Sequence, residues 1–459
     1  MFNWFRSRPP IGPAAPSTRS MGKSGKISLA EVFVPGGKPT ITYVPREKLG
    51  LEATVRDHIR ETREILLLIG PTKSGKSVLT QTVIPDNVRV TIDGTRVQDR
   101  EDRFWNDVAS KAGAAHTIVS SETKSSKSHT VNKAGIGINT DRGVGRLVAE
   151  VLPLPTFEIG TKNETTEQQA ADVQRHLVTD PQEEVIKLLI ASRKVLVIED
   201  FHTIGPAVQR NVIRALKGPV FEGMRVVVLG IPHREHDVVA GMIDMQGRTR
   251  TLQMPMWSKD DLKEICDKGF KALNVVPADN VVKQFCLHAF GSPNLLQKFC
   301  LRLCQKHGIS ERQSKPVKLT LGERYENFFE EFVAQEANLD VTRIVSDFRS
   351  PNENRLKRFK TSDGEELNIY QLVLLAISQK LPATMIAAGD VTRKIEEIVA
   401  GDPPETEAIT RALSRLGSLS QEISEELKIG QPVLEYDSKL RKLHITDASF
   451  AFHVKWGRI

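Results

Sequence analysis

The chain predicts an α/β fold: a parallel sheet with helices on both faces, followed by a helical region and a smaller mixed unit. Three observations point there. Four short strand-like runs recur, Ile65–Ile69, Val88–Ile92, Val195–Ile198 and Val226–Leu229, each followed by polar or Gly/Pro punctuation. Helical segments, among them Lys76–Thr82 and Pro181–Ser192, lie between them, and strands separated by helices need crossovers in a parallel sheet. After Met254 the apolar spacing changes to that of helices: Leu262, Ile265, Cys266, Phe270, then Val281, Phe285, Ala289, then Leu295, Leu296, Phe299, Leu303.

Composition sets outer bounds. The 459 residues suggest about three folded units. With 39% hydrophobic and 26% charged residues, a largely disordered chain is excluded. The longest aliphatic run, Ile65–Ile69, falls far short of the ~20 residues that span a bilayer, so no transmembrane segment is expected. The four cysteines (Cys266, Cys286, Cys300, Cys304) sit close together without metal-ligand spacing, and the N-terminus lacks the apolar core of a signal peptide. Buried helix packing in a reducing cytoplasm is the expectation. A net charge of +7 is mild, permitting a nucleic-acid partner without requiring one.

Taken in order, residues 1–31 form a basic arm with Arg6, Arg8, Arg19, Lys23 and Lys26, and no acid before Glu31. So little apolar surface cannot offset the entropy of ordering it. Residues 32–255 carry the sheet, interrupted at about 116–168 by a Ser-, Thr-, Gly- and Lys-rich insertion. Its patches Ala134–Asn139 and Thr156–Ile159 read either as a hairpin pair or as disorder. Residues 256–360 hold the helical subdomain and a polar connection, with a helix at Tyr325–Ala337 and a basic run at Arg355–Lys360. Residues 361–459 contain helices at Ile369–Gln379, at Val391–Val399 and through Ile409, Leu413 and Leu416. The strand-like Pro432–Tyr436 and Lys442–Thr446 follow. Three helices and then a hairpin is the winged-helix layout.

The strongest chemical signal is Gly70-Pro71-Thr72-Lys73-Ser74-Gly75-Lys76-Ser77, which matches G-x-x-x-x-G-K-[ST] between a strand and a helix. The glycines let successive N–H groups converge on phosphates at the positive end of a helix. Lys76 then reaches the outer phosphates and the Ser77 hydroxyl ligates Mg²⁺. Gly70 through Ser77, with Val78 behind them, are therefore the binding set for ATP. The second signal is the strand Val195–Ile198 ending in Glu199-Asp200-Phe201-His202. One acid, Glu199, takes the metal role; the next, Asp200, orients the attacking water.

These motifs, with Tyr43-Val-Pro-Arg46-Glu47 ahead of the loop and Gly291-Ser-Pro293 in the helical subdomain, occur in an order that resembles the STAND-type and origin-initiator-type ATPases of the AAA+ superfamily. The resemblance covers about residues 32–459 and implies a P-loop NTPase sheet, a helical lid subdomain and a C-terminal winged-helix domain. Leu443 to Trp456 looks like the winged helix's final strand. By the same resemblance Arg46 and Pro293 flank the adenine, and Arg248, with Arg250 second, is the arginine finger that a neighbouring subunit would receive. The family's γ-phosphate sensor would fall near Gly230-Ile-Pro-His233-Arg234, leaving His233 or Arg234. The family's usual acidic order is Asp then Glu, so the reversed Glu199-Asp200 implies slow hydrolysis. The expected function is an ATP-binding, ATP-hydrolysing switch that self-associates and controls a separate effector or sensor protein, as in bacterial defence or signalling. The alternative is an initiator- or transposition-regulator-like ATPase loading on duplex DNA. For that alternative the winged helix offers Arg411, Arg415, Lys439, Arg441 and Lys442.

Overall fold

The computed structural model describes residues 26–61, 63–113, 181–231, 248–335, 339–349, 356–427 and 431–457. Most of the basic arm, the 116–168 insertion, and His233 and Arg234 lie outside the described residues.

Five strands, β1 (Ile65–Ile69), β2 (Arg89–Asp93), β3 (Val195–Glu199), β4 (Arg225–Gly230) and β5 (Thr249–Gln253), form one sheet in the order β2-β3-β4-β1-β5. All four pairings are parallel. β1 is buried along its length, and its alternation divides it between two cores. Ile65, Leu67 and Ile69 face the core built by the helices Glu101–Ala112, Pro181–Ala191 and Pro206–Phe221. Leu66 and Leu68 face Leu51 and Val55 of the helix Leu51–Glu61 and Leu79 of the helix Lys76–Val83. A strand covered on both faces must be apolar throughout, hence Ile-Leu-Leu-Leu-Ile. The chain has an α/β P-loop fold, and the loop after β1 emerges at the carboxyl edge of the sheet.

The helical subdomain follows the apolar spacing of the sequence. Ser258 and Asp261 form a capping box at the start of Lys259–Leu273, and Ser292 caps Pro293–Lys306 with a proline in its first turn. Between them lies the helix Asp279–His288, and a short parallel pair, β6 (Val275–Pro277) with β7 (Val317–Leu319), closes the subdomain. All four cysteines are free and buried here; Cys266 Sγ is 3.6 Å from Cys300 Sγ. In the connection read as polar, a second helix, Leu339–Arg349, follows Tyr325–Gln335, and a hairpin pairs β8 (Arg358–Lys360) with β9 (Glu366–Asn368).

The last unit has the three helices expected, Ile369–Lys380, Ala388–Ile398 and Thr406–Glu426. Its sheet is antiparallel in the order β10-β12-β11, with β11 (Leu434–Asp437) and β12 (Lys442–Ile445) joined by a short turn. The extra strand β10 (Met385–Ala387) lies between the first two helices. The chain's end departs from the expectation of a strand running to Trp456: β12 stops at Ile445, and Ala448–Trp456 is a helix. Asp447 caps it, accepting from Ser449 N (2.7 Å) and Phe450 N (2.9 Å). Phe450-x-Phe452 imitates a strand period, but Ala448, Ala451, His453 and Val454 are buried as well. A helix apolar on every side conceals its own period.

One continuous core runs from Leu29 through the helical subdomain to Val454. Among the described residues no helix is long and apolar enough to cross a membrane.

Candidate functional site

The phosphate loop is fixed from behind before any of its groups face outward. A Cβ on Gly70 would come within 2.6 Å of Met254 O, so the loop can leave β1 only as glycine. Gly70 N also donates to Gly230 O at 3.2 Å, tying the loop to β4. Gly75 sits at φ +96°, a left-handed backbone that turns the chain into the helix Lys76–Val83. Trp257 Nε1 donates to Ser74 O at 2.7 Å, and Trp257 also packs 5.1 Å from the Arg46 guanidinium.

These elements bound a cleft of about 310 Å³ between the sheet and the helical subdomain. Thr72 through Val78 line one end together with Glu199 and Asp200; Gly70 and Pro71, expected in the binding set, do not line it. Val34, Thr42, Val44, Ile265, Pro293 and Gln297 line it from the amino-terminal segment and the helical subdomain. Lys76 Nζ donates to Gly70 O (2.6 Å) and Pro71 O (2.8 Å). Burial pushes its amine down to about 8, opposed by Asp200 and Glu199.

β2 and β3 bring acids together, because Asp93 is paired in register with Glu199. Burial raises the Glu199 carboxyl, the Ser77 hydroxyl opposes this, and the like charges of Asp200 and Asp93 add to the rise. Asp200 follows at φ +47°, a left-handed conformation unusual for a side-chain-bearing residue. Gly94 has no room for a side chain there, since its Cβ would lie 2.4 Å from Asp200 O.

Among the described residues no cluster of three or more His, Cys, Asp or Glu could hold a metal unaided. Mg²⁺ asks less of a protein beside a nucleotide: one or two oxygen ligands, the rest from phosphates and water. Ser77 and Glu199 fit that requirement, and Glu199 Oε1 is buried with no hydrogen-bond partner among the described residues. A bound Mg²⁺ would neutralise charge on the outer phosphates.

The other expected residues lie in different surroundings. Arg46 lines the cleft, but its guanidinium is buried and donates to Pro255 O (2.8 Å) and Met256 O (3.1 Å), holding the segment after β5. Pro293 lines the cleft at the first turn of its helix. Arg248 precedes β5 and so lies at the amino edge of the sheet, opposite its own phosphate loop. Its guanidinium stacks 5.7 Å from the ring of Phe221, as does that of Arg63.

The most informative contacts went unforeseen. The Thr72 hydroxyl donates to Gln431 Oε1, and Lys73 Nζ reaches Asp447 Oδ2 (2.8 Å) and Ser449 Oγ (3.3 Å). Two side chains of the phosphate loop are thus held by the carboxyl-terminal unit. The capping pattern Asp447-Ala-Ser-Phe was the available signal for one half of this contact.

No family model matches the chain, and no curated protein does. Among solved structures it is similar to the Cdc6p protein of Pyrobaculum aerophilum, at 11% identity over 94% of this chain and 98% of that one, with a TM-score of 0.38. It is also similar to the Walker-type ATPase paby2304 of Pyrococcus abyssi, at 10% identity over 91% and 100%, TM-score 0.47. A third is the ORC2 protein of Aeropyrum pernix in its ADPNP–ADP complexes, at 11% identity over 94% and 98%, TM-score 0.44. These likenesses are distant, and the residues of the site carry the functional case by themselves.

Proposed function

We propose that this chain is an ATP-binding and slowly ATP-hydrolysing switch of the AAA+ superfamily, of the STAND or origin-initiator type, whose carboxyl-terminal winged-helix unit is coupled to the phosphate loop. Lys76 holds the outer phosphates, Ser77 and Glu199 hold Mg²⁺, and Asp200 orients water, with Arg46 and Pro293 bordering the base. Arg248 serves a neighbouring subunit rather than its own site, in keeping with its distance from its own loop, so the active form is a homo-oligomer. The output is control of a separate effector or sensor protein, as in bacterial defence.

One observation carries the coupling: Thr72 and Lys73, inside the loop that would grip phosphate, are also the residues that hold Gln431, Asp447 and Ser449. Any shift of the loop on nucleotide exchange is felt directly at the start of the last helix. The test is hydrogen exchange over residues 431–456 without nucleotide, with ADP and with ATP·Mg²⁺, beside single-turnover phosphate release, with Lys76→Ala as control. Protection that changes with nucleotide in the wild type alone supports the switch. Identical exchange in all three states refutes it, and equal phosphate release from both proteins removes the ATPase activity.

A second reading, an ATPase acting on duplex DNA, is favoured by the exposed Arg411 and Arg441, which lie together at the start of Thr406–Glu426 with Lys439 on the neighbouring turn. Against it, Arg415 is paired with Glu422 at 2.7 Å. Duplex binding that weakens steeply with salt would favour this reading over the first.

A further inference from the structure

Gln297 lies on the helix Pro293–Lys306, is buried, and still lines the cleft. Its Oε1 accepts from Val34 N at 2.8 Å and lies 3.3 Å from Thr42 Oγ1. A backbone N–H can only donate, so this bond fixes which end of the amide is oxygen. Thr42 Oγ1 is itself held at 3.0 Å from Val32 O, so the frame around the amide is anchored on the amino-terminal segment. Among the described residues no group accepts from Gln297 Nε2, and the NH₂ is the end left for the cleft. An oriented donor facing a cleft is met by water until a ligand acceptor replaces it.

We propose that Gln297 selects the base: its NH₂ donates to the ring nitrogen N1 on the Watson–Crick edge of adenine. The proposal rests on the nucleotide reading of the cleft given above. Guanine carries an N–H at the same ring position, so donor would meet donor. Guanine would also need an acceptor for its own N–H groups. Of the carboxylates lining the cleft, Glu199 and Asp200 stand beside the phosphate loop. The third, Glu52, already accepts from Tyr43 Oη (2.7 Å) and Arg46 N (3.3 Å). Glu52 Oε2 and the Asn294 amide remain as acceptors in the lining, so the discrimination rests on the oriented donor of Gln297 itself.

The test is equilibrium binding of ATP, GTP and 1-deaza-ATP to the full chain with Mg²⁺, for wild type, Gln297→Met and Gln297→Glu. Wild type should bind ATP at least about tenfold more tightly than either GTP or 1-deaza-ATP. Gln297→Met should lose about tenfold for ATP and no longer distinguish it from 1-deaza-ATP. Gln297→Glu keeps an acceptor for Val34 N but turns a second one to the base, so the preference should move toward GTP. Variants that weaken ATP and 1-deaza-ATP in equal proportion would reduce Gln297 to a structural tie and overturn the proposal. Wild type that binds ATP and 1-deaza-ATP equally overturns it too, without recourse to any variant. Failure of wild type to bind any of the three nucleotides is a separate result, which removes the nucleotide reading itself.

Discussion

The carboxyl-terminal unit meets the rest of the chain across two boundaries of opposite chemistry. Toward the helical subdomain and its connection it presents aromatic rings. Phe452 lies 5.1 Å from Phe299 and 5.8 Å from Phe329, while Trp456 lies 5.1 Å from Phe329 and 4.8 Å from His288. Toward the phosphate loop it presents Gln431, Asp447 and Ser449, in three polar contacts. Aromatic pairs add stability beyond their buried area, about 0.5–1.5 kcal/mol each, whereas partly exposed ion pairs contribute roughly 0–1 kcal/mol. The first boundary therefore fuses two units into one body, and the second can open at small cost. The joint expected to move in this molecule runs between the sheet and everything packed on the continuous core from Leu29 to Val454.

The largest test breaks the apolar boundary. Phe329→Ala should cost about 3–5 kcal/mol in urea unfolding, because the ring is fully buried and fills a shared core. Trp456 fluorescence should follow that loss while Trp105, in the sheet's core, holds to a higher urea concentration. A loss below about 1 kcal/mol would mean that the two units are not fused.

Next in size is a pH effect confined to the loop. Burial holds the Lys76 amine at about 8, below its ordinary 10.5, so the neutral form gains as pH passes 8. Nucleotide affinity should fall about tenfold between pH 7 and 9 if only the charged amine grips phosphate. The stability of the free protein should change in the opposite sense. A depressed lysine penalises the fold most below pH 8, and that penalty fades between 8 and 10.5. Affinity that is flat across this range would show that Lys76 keeps its charge.

The smallest test breaks the polar boundary. Asp447→Asn removes the charge facing Lys73 and keeps an acceptor for the helix cap, so unfolding should shift by less than about 1 kcal/mol. Hydrogen exchange at the start of the last helix should nevertheless rise. A shift of several kcal/mol would make this contact part of the core rather than a latch.

What the sequence disclosed, and what it did not, follows the range of the interactions. The phosphate loop and β1 were legible because strand, glycines, lysine and serine are contiguous, and their chemistry needs nothing from afar. The helix Pro293–Lys306 was legible from its period alone. β10 escaped notice because Met385–Ala387 is too short to show alternation. The contacts from Thr72 to Gln431 and from Lys73 to Asp447 join residues 359 and 374 positions apart, and no local pattern encodes such pairs. Gln297 resembled any polar position on an amphipathic helix; only the approach of Val34 N makes its amide a directed group. Arg46 was assigned to the cleft by the resemblance alone, and its bonds to two backbone carbonyls had no signal in the sequence.

Trp257 gives the molecule an optical property. Its indole donates to a carbonyl inside the phosphate loop and borders the cleft, whereas Trp105 and Trp456 are packed elsewhere and Trp4 lies outside the described residues. A loop that rearranges around phosphate would alter the surroundings of that one ring. With Trp4, Trp105 and Trp456 replaced by phenylalanine, the chain would report its own occupancy by emission, with no label attached.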